Sequence, residues 1–421
     1  MTRILLLPVV VIGLLAAAPA SAPATTFSVT NTADDVLTPN SLRWAIAQAN
    51  ADATAPVIDI QPGLTIDLTC LGGGALAYDN AANLELTINA NGSTIRQTCA
   101  GDAVITTNNE NLVVTAATLT GGGDGAIAAG AGGPADVRVE GSTVTGNTGG
   151  AAVEAFTGDV VVVDSLIHDN QGSTGGGIAG VFVSVESSTI SSNSATSGGG
   201  IWSDQTATVI NSTITGNTAS NTGGGVLTTN SDATLVYATI VGNTAPAGSN
   251  VTMLTGGDLA PFATVIAAPL GGGTDCDLAA GVTPASLGFN FGADASCALA
   301  APTDTAGGDP QLGALDDNGG TTPTMLPAAA SPLLDRVDCA AAPGAIAVDQ
   351  RAVARPQGVA CDIGAVEVVP PPAPTTTTTT TVRRSTAAEL PATGAPTTAL
   401  AIGAVALVGL GALMARAVRR R

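Results

Sequence analysis

Five side chains near the middle of the chain could carry out acid–base chemistry on a glycosidic bond. Glu140 and Glu186 occupy matching positions in two similar stretches, VRVEGSTV and VSVESSTI. Two carboxylic acids suffice for hydrolysis, because one can protonate the leaving oxygen while the other activates a water. The segment between them adds further titratable groups, and the full candidate set is Glu140, Asp164, His168, Asp169 and Glu186.

The two glutamates can act together only if the fold stacks their stretches on each other. Similar stretches recur through the centre of the chain, with equivalent apolar residues at separations of 24, 25, 23, 23, 24 and 26 residues. The equivalent residues are Ile95, Leu119, Val144, Ile167, Ile190, Ile214 and Ile240. A repeat of this length indicates a solenoid, in which each repeat packs only on its neighbours.

The residue types in each repeat identify the kind of solenoid. Short runs rich in Val, Ile and Thr alternate with Gly and Asn, without a Leu/Ala pattern of helical period. We therefore predict an all-β fold, a right-handed parallel β-helix over residues 25–369, with coils about 4.8 Å apart. Glu140 and Glu186 would then lie two coils, about 9.6 Å, apart, near the upper limit for an inverting hydrolase, with Val163 between them.

Asparagine and glycine recur at fixed places in the repeats. An asparagine closes five successive repeats, and these residues are Asn147, Asn170, Asn193, Asn217 and Asn243. We interpret them as an internal hydrogen-bonded ladder rather than a ligand-binding stripe. The Gly triplets that begin at Gly175, Gly198 and Gly223 predict turns with positive φ or close approach rather than phosphate loops, because no lysine or helix start follows them.

The N-terminal end of a β-helix needs a cover, because an open end exposes core residues and unpaired strand edges. The segment TPNSLRWAIAQANA provides one. Asn40 or Ser41 can serve as the N-cap of a short helix, with Leu42, Ile46 and Ala49 on one face. The sequence predicts that this helix caps the first coil.

The same segment resembles a known signature. With the preceding FSVTNTADD, NSLRWAIAQAN resembles the CSLREAI motif of exported bacterial β-helix proteins, although Asn40 replaces the usual cysteine and Trp44 the usual glutamate. GGDPQLGALDDNGGTTPT (307–324) and VDQRAVARPQGVACDIGAVE (348–367) resemble the terminal part of the same choice-of-anchor domains. The resemblance covers residues 27–368 and implies a surface protein with a solenoid, without implying one activity.

An enzyme acting on acidic polysaccharides is the sharpest functional hypothesis for such a fold. Lyases of this type use a lysine or arginine base with calcium-binding carboxylates, and hydrolases use clustered aspartates with histidine and lysine. The chain has no lysine and one histidine, His168. We therefore predict no catalysis, no metal and no cofactor, with a polysaccharide lyase or glycoside hydrolase as the alternative.

Several other residues allow a site or a structural role. Trp202 and Tyr237 could stack on sugars or pack against neighbours, and DDNGG (316–320) could bind calcium but is first a turn. Ion pairs that tie down the last turn are predicted among the charged residues of the final segment, Asp349, Arg351, Arg355 and Asp362.

The two ends of the chain predict export and attachment. Residues 1–24 have the apolar run and small-residue cleavage box of a signal peptide, with cleavage after Ala24 or Ala20. Residues 370–389 are rich in Pro and Thr and predict an extended stalk. The 17 residues from Ala399 to Ala415 carry no charge and precede four arginines, and as a helix of about 25 Å they approach the length of a membrane span.

The motif LPATG precedes this apolar run. In this order, residues 390–421 resemble the cell-wall sorting signal of Gram-positive bacteria. The resemblance implies that a sortase cleaves after Thr393 and links it to peptidoglycan, which places the protein in the cell wall with a membrane-held precursor. The implied recognition residues are Leu390, Pro391, Ala392, Thr393 and Gly394.

Cysteine and charge complete the prediction. The even number of cysteines in an exported chain predicts three disulfides, which we assign in sequence order as Cys70 with Cys99, Cys276 with Cys297, and Cys339 with Cys361. A formal net charge of −20 argues against a nucleic-acid partner, and the absence of lysine argues against a pilus shaft subunit. We expect adhesion, ligand display or an envelope role, with an extracellular glycan or another surface ligand as partner.

Overall fold

Short runs of alternating Val, Ile, Leu and Thr form strands that pair with the equivalent strand of the next coil. The computed structural model describes residues 24–268, 271–344 and 346–370. In that part of the chain the named strands pair in parallel, apart from one antiparallel hairpin, Leu312–Asp316 with Thr324–Pro327. The predicted parallel β-solenoid is therefore confirmed.

Each coil contributes to three faces. The first face consists of Thr26–Val29, Val57–Ile60, the first halves of Leu86–Gln97 and Leu112–Thr120, Val137–Glu140, Val160–Val163, Val183–Glu186, Ala207–Ile210, Ala233–Val236, Gly257–Phe262 and Val282–Pro284. The second consists of Thr65–Leu68, the second halves of Leu86–Gln97 and Leu112–Thr120, Thr143–Thr145, Leu166–His168, Thr189–Ser191, Thr213–Thr215, Thr239–Val241, Val265–Ala267, Phe291–Gly292 and Thr305–Ala306. The third consists of Leu76–Tyr78, Ile105–Thr107, Ile127–Ala129, Val153–Ala155, Ile178–Gly180, Ile201–Ser203, Val226–Thr228, Val251–Met253 and Cys276–Leu278.

Smaller elements complete the architecture. A short fourth sheet consists of Thr148–Gly149, Gln171–Gly172, Ser194–Ser197 and Thr218–Thr222. The α-helix Leu42–Asn50 (α1) lies at the N-terminal end, and a 3₁₀ turn, Cys339–Ala341, lies in the final segment. Within the described residues, no helix has the length and apolar content needed to cross a bilayer.

The recurrent apolar residues stack in one file, as predicted. Each pairs in register with its equivalent in the next coil, and all are fully buried. The structure extends the file by Ile66 at one end and Ile266 at the other. Because the file is unbroken from coil to coil, it forms a continuous core. Burial of each such side chain stabilises the folded state by about 2 kcal/mol.

The asparagines form the predicted ladder. In each step the side-chain amide donates to the side-chain oxygen of the next asparagine at 2.9 or 3.0 Å, from Asn147 to Asn243. The same oxygen also accepts the backbone N–H of the preceding asparagine. The ladder continues through Asn250 to Asp275, so it ends on a carboxylate.

A second ladder, formed by serines, was not predicted. At the corner between the first and second faces, Ser142 N–H donates to Ser165 Oγ at 3.0 Å, and Ser165 N–H to Ser188 Oγ at 3.1 Å. Ser188 continues to Ser212 in the same way. The signal was present in the repeats, since each serine lies two residues before the recurrent apolar residue.

The Gly triplets form turns, as predicted. Their first residues have φ of 68°, 65° and 69°, a backbone region that glycine enters without strain. The later glycines allow close stacking, because a Cβ at Gly200 would lie 2.6 Å from the carbonyl oxygen of Gly225. Any side chain at that position would push adjacent coils apart.

The predicted N-terminal cap is confirmed. Ser41, rather than Asn40, is the N-cap of α1, and its side chain accepts the N–H of Trp44. The buried side chains of α1 are Leu42, Ala45, Ile46 and Ala49, which include the predicted face. They join the main core beside the first strands, so α1 closes the N-terminal end.

A disulfide-bonded loop closes much of the opposite end. Cys276 and Cys297 join the main core, with Leu299 packed against it. The last first-face strand is short and ends at Pro284, whose missing N–H weakens pairing with another chain. The other two disulfides, Cys70 with Cys99 and Cys339 with Cys361, also form in the predicted order.

The final segment, residues 307–370, lies along the side of the solenoid, where it contacts central coils and also packs against Phe291 near the end. Buried Gln350 donates to the carbonyl oxygen of Ser188 at 3.1 Å and accepts from Thr213 Oγ1 at 2.7 Å. Ala365 N–H donates to Thr239 Oγ1 at 3.0 Å. The predicted ion pairs therefore lie in a segment that covers central coils as well as the end of the solenoid. We name this segment, residues 307–370, the lateral clasp.

Two ion pairs stabilise this clasp. Arg351 pairs with Asp349 at 2.9 Å, as predicted. Arg355, by contrast, pairs with Glu367 at 3.1 Å and contacts only the main-chain oxygen of Asp362. The Asp362 carboxylate instead accepts the N–H groups of Asp335 and Val368.

Much of the predicted anchoring apparatus lies outside the described residues. This applies to residues 1–23 of the signal peptide, to the stalk after residue 370, and to the sorting signal at 390–421 with its apolar run, Ala399–Ala415.

Candidate functional site

The two glutamates of the candidate catalytic set stand in one outward file on the first face. Glu140 pairs in register with Val163, and Val163 with Glu186. The glutamates are thus two coils apart with an apolar residue between them, as predicted. Glu140 also forms an ion pair with Arg138 at 3.1 Å.

The other three candidates lie elsewhere on the coil. Asp164 occupies the corner after the first face with φ of 48°, and burial, followed by the nearby Glu140 carboxylate, raises its pKa. His168 projects from the second face, where its Nδ1 lies 2.6 Å from Asp169 Oδ2. The structure therefore brings together Glu140 with Asp164, and His168 with Asp169, but not the five as one site.

The alternative aromatic and calcium sites are also structural in character. Trp202 is partly buried on the outer side of the third face, and a Cβ at Gly198 would lie 2.9 Å from its Cβ. Tyr237 is fully buried beneath Arg355, whose guanidinium carbon lies 4.1 Å from the ring centroid. DDNGG connects the strands of the hairpin, with Asn318 donating to the carbonyl oxygen of Thr324 at 2.8 Å. In the described residues, no group of three or more His, Cys, Asp or Glu side chains is placed to hold a metal ion.

A different surface combines exposed or half-exposed carboxylates with aromatic rings. The first residue of most first-face strands is in register from coil to coil, so the residues just before them stack at the corner with the third face. Five of these corner residues are acidic and define what we name the acidic edge: Glu85, Asp136, Asp159, Asp232 and Asp258.

Neighbouring carboxylates of the acidic edge are linked through the backbone. Asp159 N–H donates to Asp136 Oδ1 at 2.9 Å, and Asp258 N–H to Asp232 Oδ1 at 2.8 Å. Partial burial, then the charge of Asp136, raises the pKa of Asp159. The sequence pattern alone does not reveal this edge, although an Asp precedes several of the first-face strands, because the buried residues and not the acidic ones recur in every repeat.

One phenylalanine, Phe182, stands on this edge, and a second, Phe156, lies in the turn just before Asp159. Phe156 is 53% and Phe182 48% exposed, and they lie on consecutive coils. Phe182 occupies the position equivalent to Asp159, since Val160 N–H donates to the carbonyl oxygen of Phe182 at 2.9 Å. Exposed aromatic rings beside carboxylates make this edge the best candidate for a binding site.

Parallel coils, three faces and internal side-chain ladders define the class of fold as a right-handed parallel β-helix. Residues 72–245 match the family model described as the right handed beta helix region. No curated protein matches the chain. Among solved structures, the chain is similar to pectate lyase Pel9A, with 13% identity, a TM-score of 0.44, and coverage of 83% of this chain and 97% of that chain. Similarity at this level supports no conclusion about activity.

Proposed function

We propose that this protein is an exported, wall-anchored surface protein whose β-helix binds or displays a ligand without cleaving it. The dispersion of the titratable groups carries the non-catalytic part of the proposal. Glu140, Asp164 and His168 lie on the first face, a corner and the second face respectively. Glu140 lies near Asp164, but Glu186 is two coils from Glu140 and His168 pairs with Asp169 on the second face. The five groups therefore do not converge on one reacting bond, as general acid–base catalysis by this set would require.

Two features support a location outside the cell. All cysteines are paired in the part of the chain that the structure describes, and disulfides persist mainly in oxidising compartments. LPATG, an apolar run and terminal arginines then follow the β-helix in the sequence. Sortase and peptidoglycan are the partners that this order implies.

Replacement of Thr393 tests the anchoring proposal. In the native Gram-positive host, Thr393→Ala should shift the protein from the wall fraction to the membrane or the medium, because it changes the residue that would form the link. Immunoblots of the fractions measure the shift. Thr398→Ala, a threonine just outside LPATG, is the matched control and should leave attachment unchanged. Unchanged wall attachment of the Thr393 variant would contradict the proposal.

A carbohydrate-active enzyme is the second candidate. The observation that favours it is the shared file of Glu140 and Glu186, which are two coils, about 9.6 Å, apart. Incubation of the secreted protein with a polysaccharide panel is expected to give no new reducing ends and no unsaturated products. Products that disappear in both Glu140→Gln and Glu186→Gln would establish the enzyme and overturn the non-catalytic proposal.

A further inference from the structure

We propose that the acidic edge, with Phe156 and Phe182, binds a glycan that carries protonated amino groups. This inference rests on the proposed binding role and names its ligand class. The chain contains 6 Phe, 2 Trp and 2 Tyr. Of the two phenylalanines that are exposed in the described residues, Phe182 stands on this edge and Phe156 lies three residues before Asp159. An aromatic ring held in water on a rigid scaffold offers a stacking surface for the apolar face of a sugar ring.

The carboxylates of the acidic edge favour a positively charged ligand. In the described part of the chain, none of the five carboxylates of the acidic edge forms an ion pair. Arg138 lies near Asp136 in the sequence but pairs with Glu140. The edge therefore presents uncompensated negative charge, which repels an acidic polysaccharide and attracts a cationic one.

Geometry favours a polymer over a single cation. Asp136 and Asp159 are one coil apart, and Asp232 and Asp258 are one coil apart, with Phe182 between the two pairs. Carboxylates therefore recur at multiples of about 4.8 Å along a straight line. A polymer of amino sugars can place ammonium groups on several carboxylates and a ring on Phe182 at the same time. Ammonium groups close to the phenylalanine rings add cation–π attraction.

Binding of two matched oligosaccharides to the full mature protein tests the proposal. A β-1,4-linked glucosamine oligomer should bind more tightly than the N-acetylglucosamine oligomer of the same length, by isothermal titration calorimetry at low salt. Phe182→Ala and Asp159→Asn should each weaken binding about two- to fivefold, and Asp136→Asn with Asp159→Asn more than either alone. Added salt should weaken the binding of the glucosamine oligomer.

Two variants away from the edge serve as controls. Asp317→Asn changes an exposed carboxylate of the hairpin turn, and Leu71→Ala changes an exposed apolar residue, so both should bind as the unmodified protein does. Matching thermal melting curves show that each variant is folded.

Three outcomes would overturn the proposal. They are equal affinity for the two oligomers, unchanged affinity in the edge variants, and tighter edge-dependent binding of an arginine-rich peptide, which would assign the edge to a basic protein. Cleavage of the glucosamine oligomer would instead overturn the non-catalytic role and leave the edge as its binding site. Failure of the wall-fractionation experiment would not affect this result.

Discussion

At the scale of single residues, one acidic group at the end of the asparagine ladder can change how the stability of the folded protein depends on pH. Asp275 is fully buried, and its Oδ1 accepts from Asn250 at 2.9 Å. Its Oδ2 accepts the N–H groups of Ala293 and Asp294. Burial, followed by the charge of Asp294, raises its pKa to about 6. Burial likewise raises the pKa of Asp362 in the lateral clasp to about 6.

These two carboxyls predict that stability falls as the pH rises from about 4 to about 6. In that window the folded state binds more protons than the unfolded state, whose carboxyls titrate near 3.8, so deprotonation favours unfolding. Each group can contribute at most about 3 kcal/mol, since one pKa unit corresponds to about 1.4 kcal/mol. Thermal unfolding of the mature protein between pH 4 and pH 7 measures the effect.

The variant Asp275→Asn tests whether Asp275 causes this pH dependence of stability. Removing this titrating group should flatten the decrease in stability between about pH 4 and 6, even though an amide nitrogen in place of Oδ2 removes the acceptor for two backbone N–H groups. Asp317→Asn, on the exposed hairpin turn, should leave the profile unchanged. A stability that increases through this pH window would show that carboxylates with the opposite shift dominate.

The ladder also shows what residue patterns can and cannot predict. The five asparagines from Asn147 to Asn243 recur at intervals set by the coil, so their stacking follows from the period alone. Asn250 joins the ladder only 7 residues after Asn243, and Asp275 follows Asn250 after 25 residues with a carboxylate in place of an amide, so neither continues the sequence pattern. The role of Asp275 becomes visible only when its hydrogen bonds to Asn250 and to two backbone N–H groups are seen together.

At the scale of elements, the N-terminal cap depends on two separated sequence motifs that contact each other. Arg43 in α1 pairs with Asp34 at 2.6 Å, and the side chains are 13% and 7% exposed. Arg43 also donates to the carbonyl oxygens of Gly74 and Ala75. Asp34 accepts from the N–H and hydroxyl of Thr69. The arginine therefore joins the helix to the first coils.

Loss of this arginine should be far more damaging than loss of an exposed one. Arg43→Ala leaves Asp34 largely buried without its cation and is expected to cost about 3–5 kcal/mol of unfolding free energy. Arg96→Ala removes an exposed pair with Asp67 and should cost at most about 1 kcal/mol. Urea unfolding followed by circular dichroism compares the two variants. Equal losses would mean that the Arg43 pair does not hold the cap.

The position of the lateral clasp on the solenoid cannot be predicted from the sequence. Its hydrogen bonds join residues far apart in the chain, as between Gln350 and Ser188, which are 162 positions apart. The segment has no repeat, so no period assigns its position on the coils. Composition suggested ion pairs among its charged residues, but the pairing of Arg355 with Glu367 rather than with Asp362 depends on side-chain positions that composition does not specify.

At the scale of the whole molecule, the negative charge of the protein favours cationic ligands over anionic ones. All acidic residues except Glu389 lie in the described part, against six arginines, five of which are in ion pairs. A surface of this kind has low affinity for polyanions, so the comparison of glucosamine with N-acetylglucosamine oligomers tests a property of the entire rod as well as of one edge.

The lateral clasp also has a mechanical consequence. Residues 350–365 make hydrogen bonds to several central coils, so a pull applied beyond residue 370 would load these bonds in shear before it reached the last coil. Several of these hydrogen bonds would have to break together before the coils could unfold. The β-helix would then resist tension, and its coils would not unwind one after another from the end.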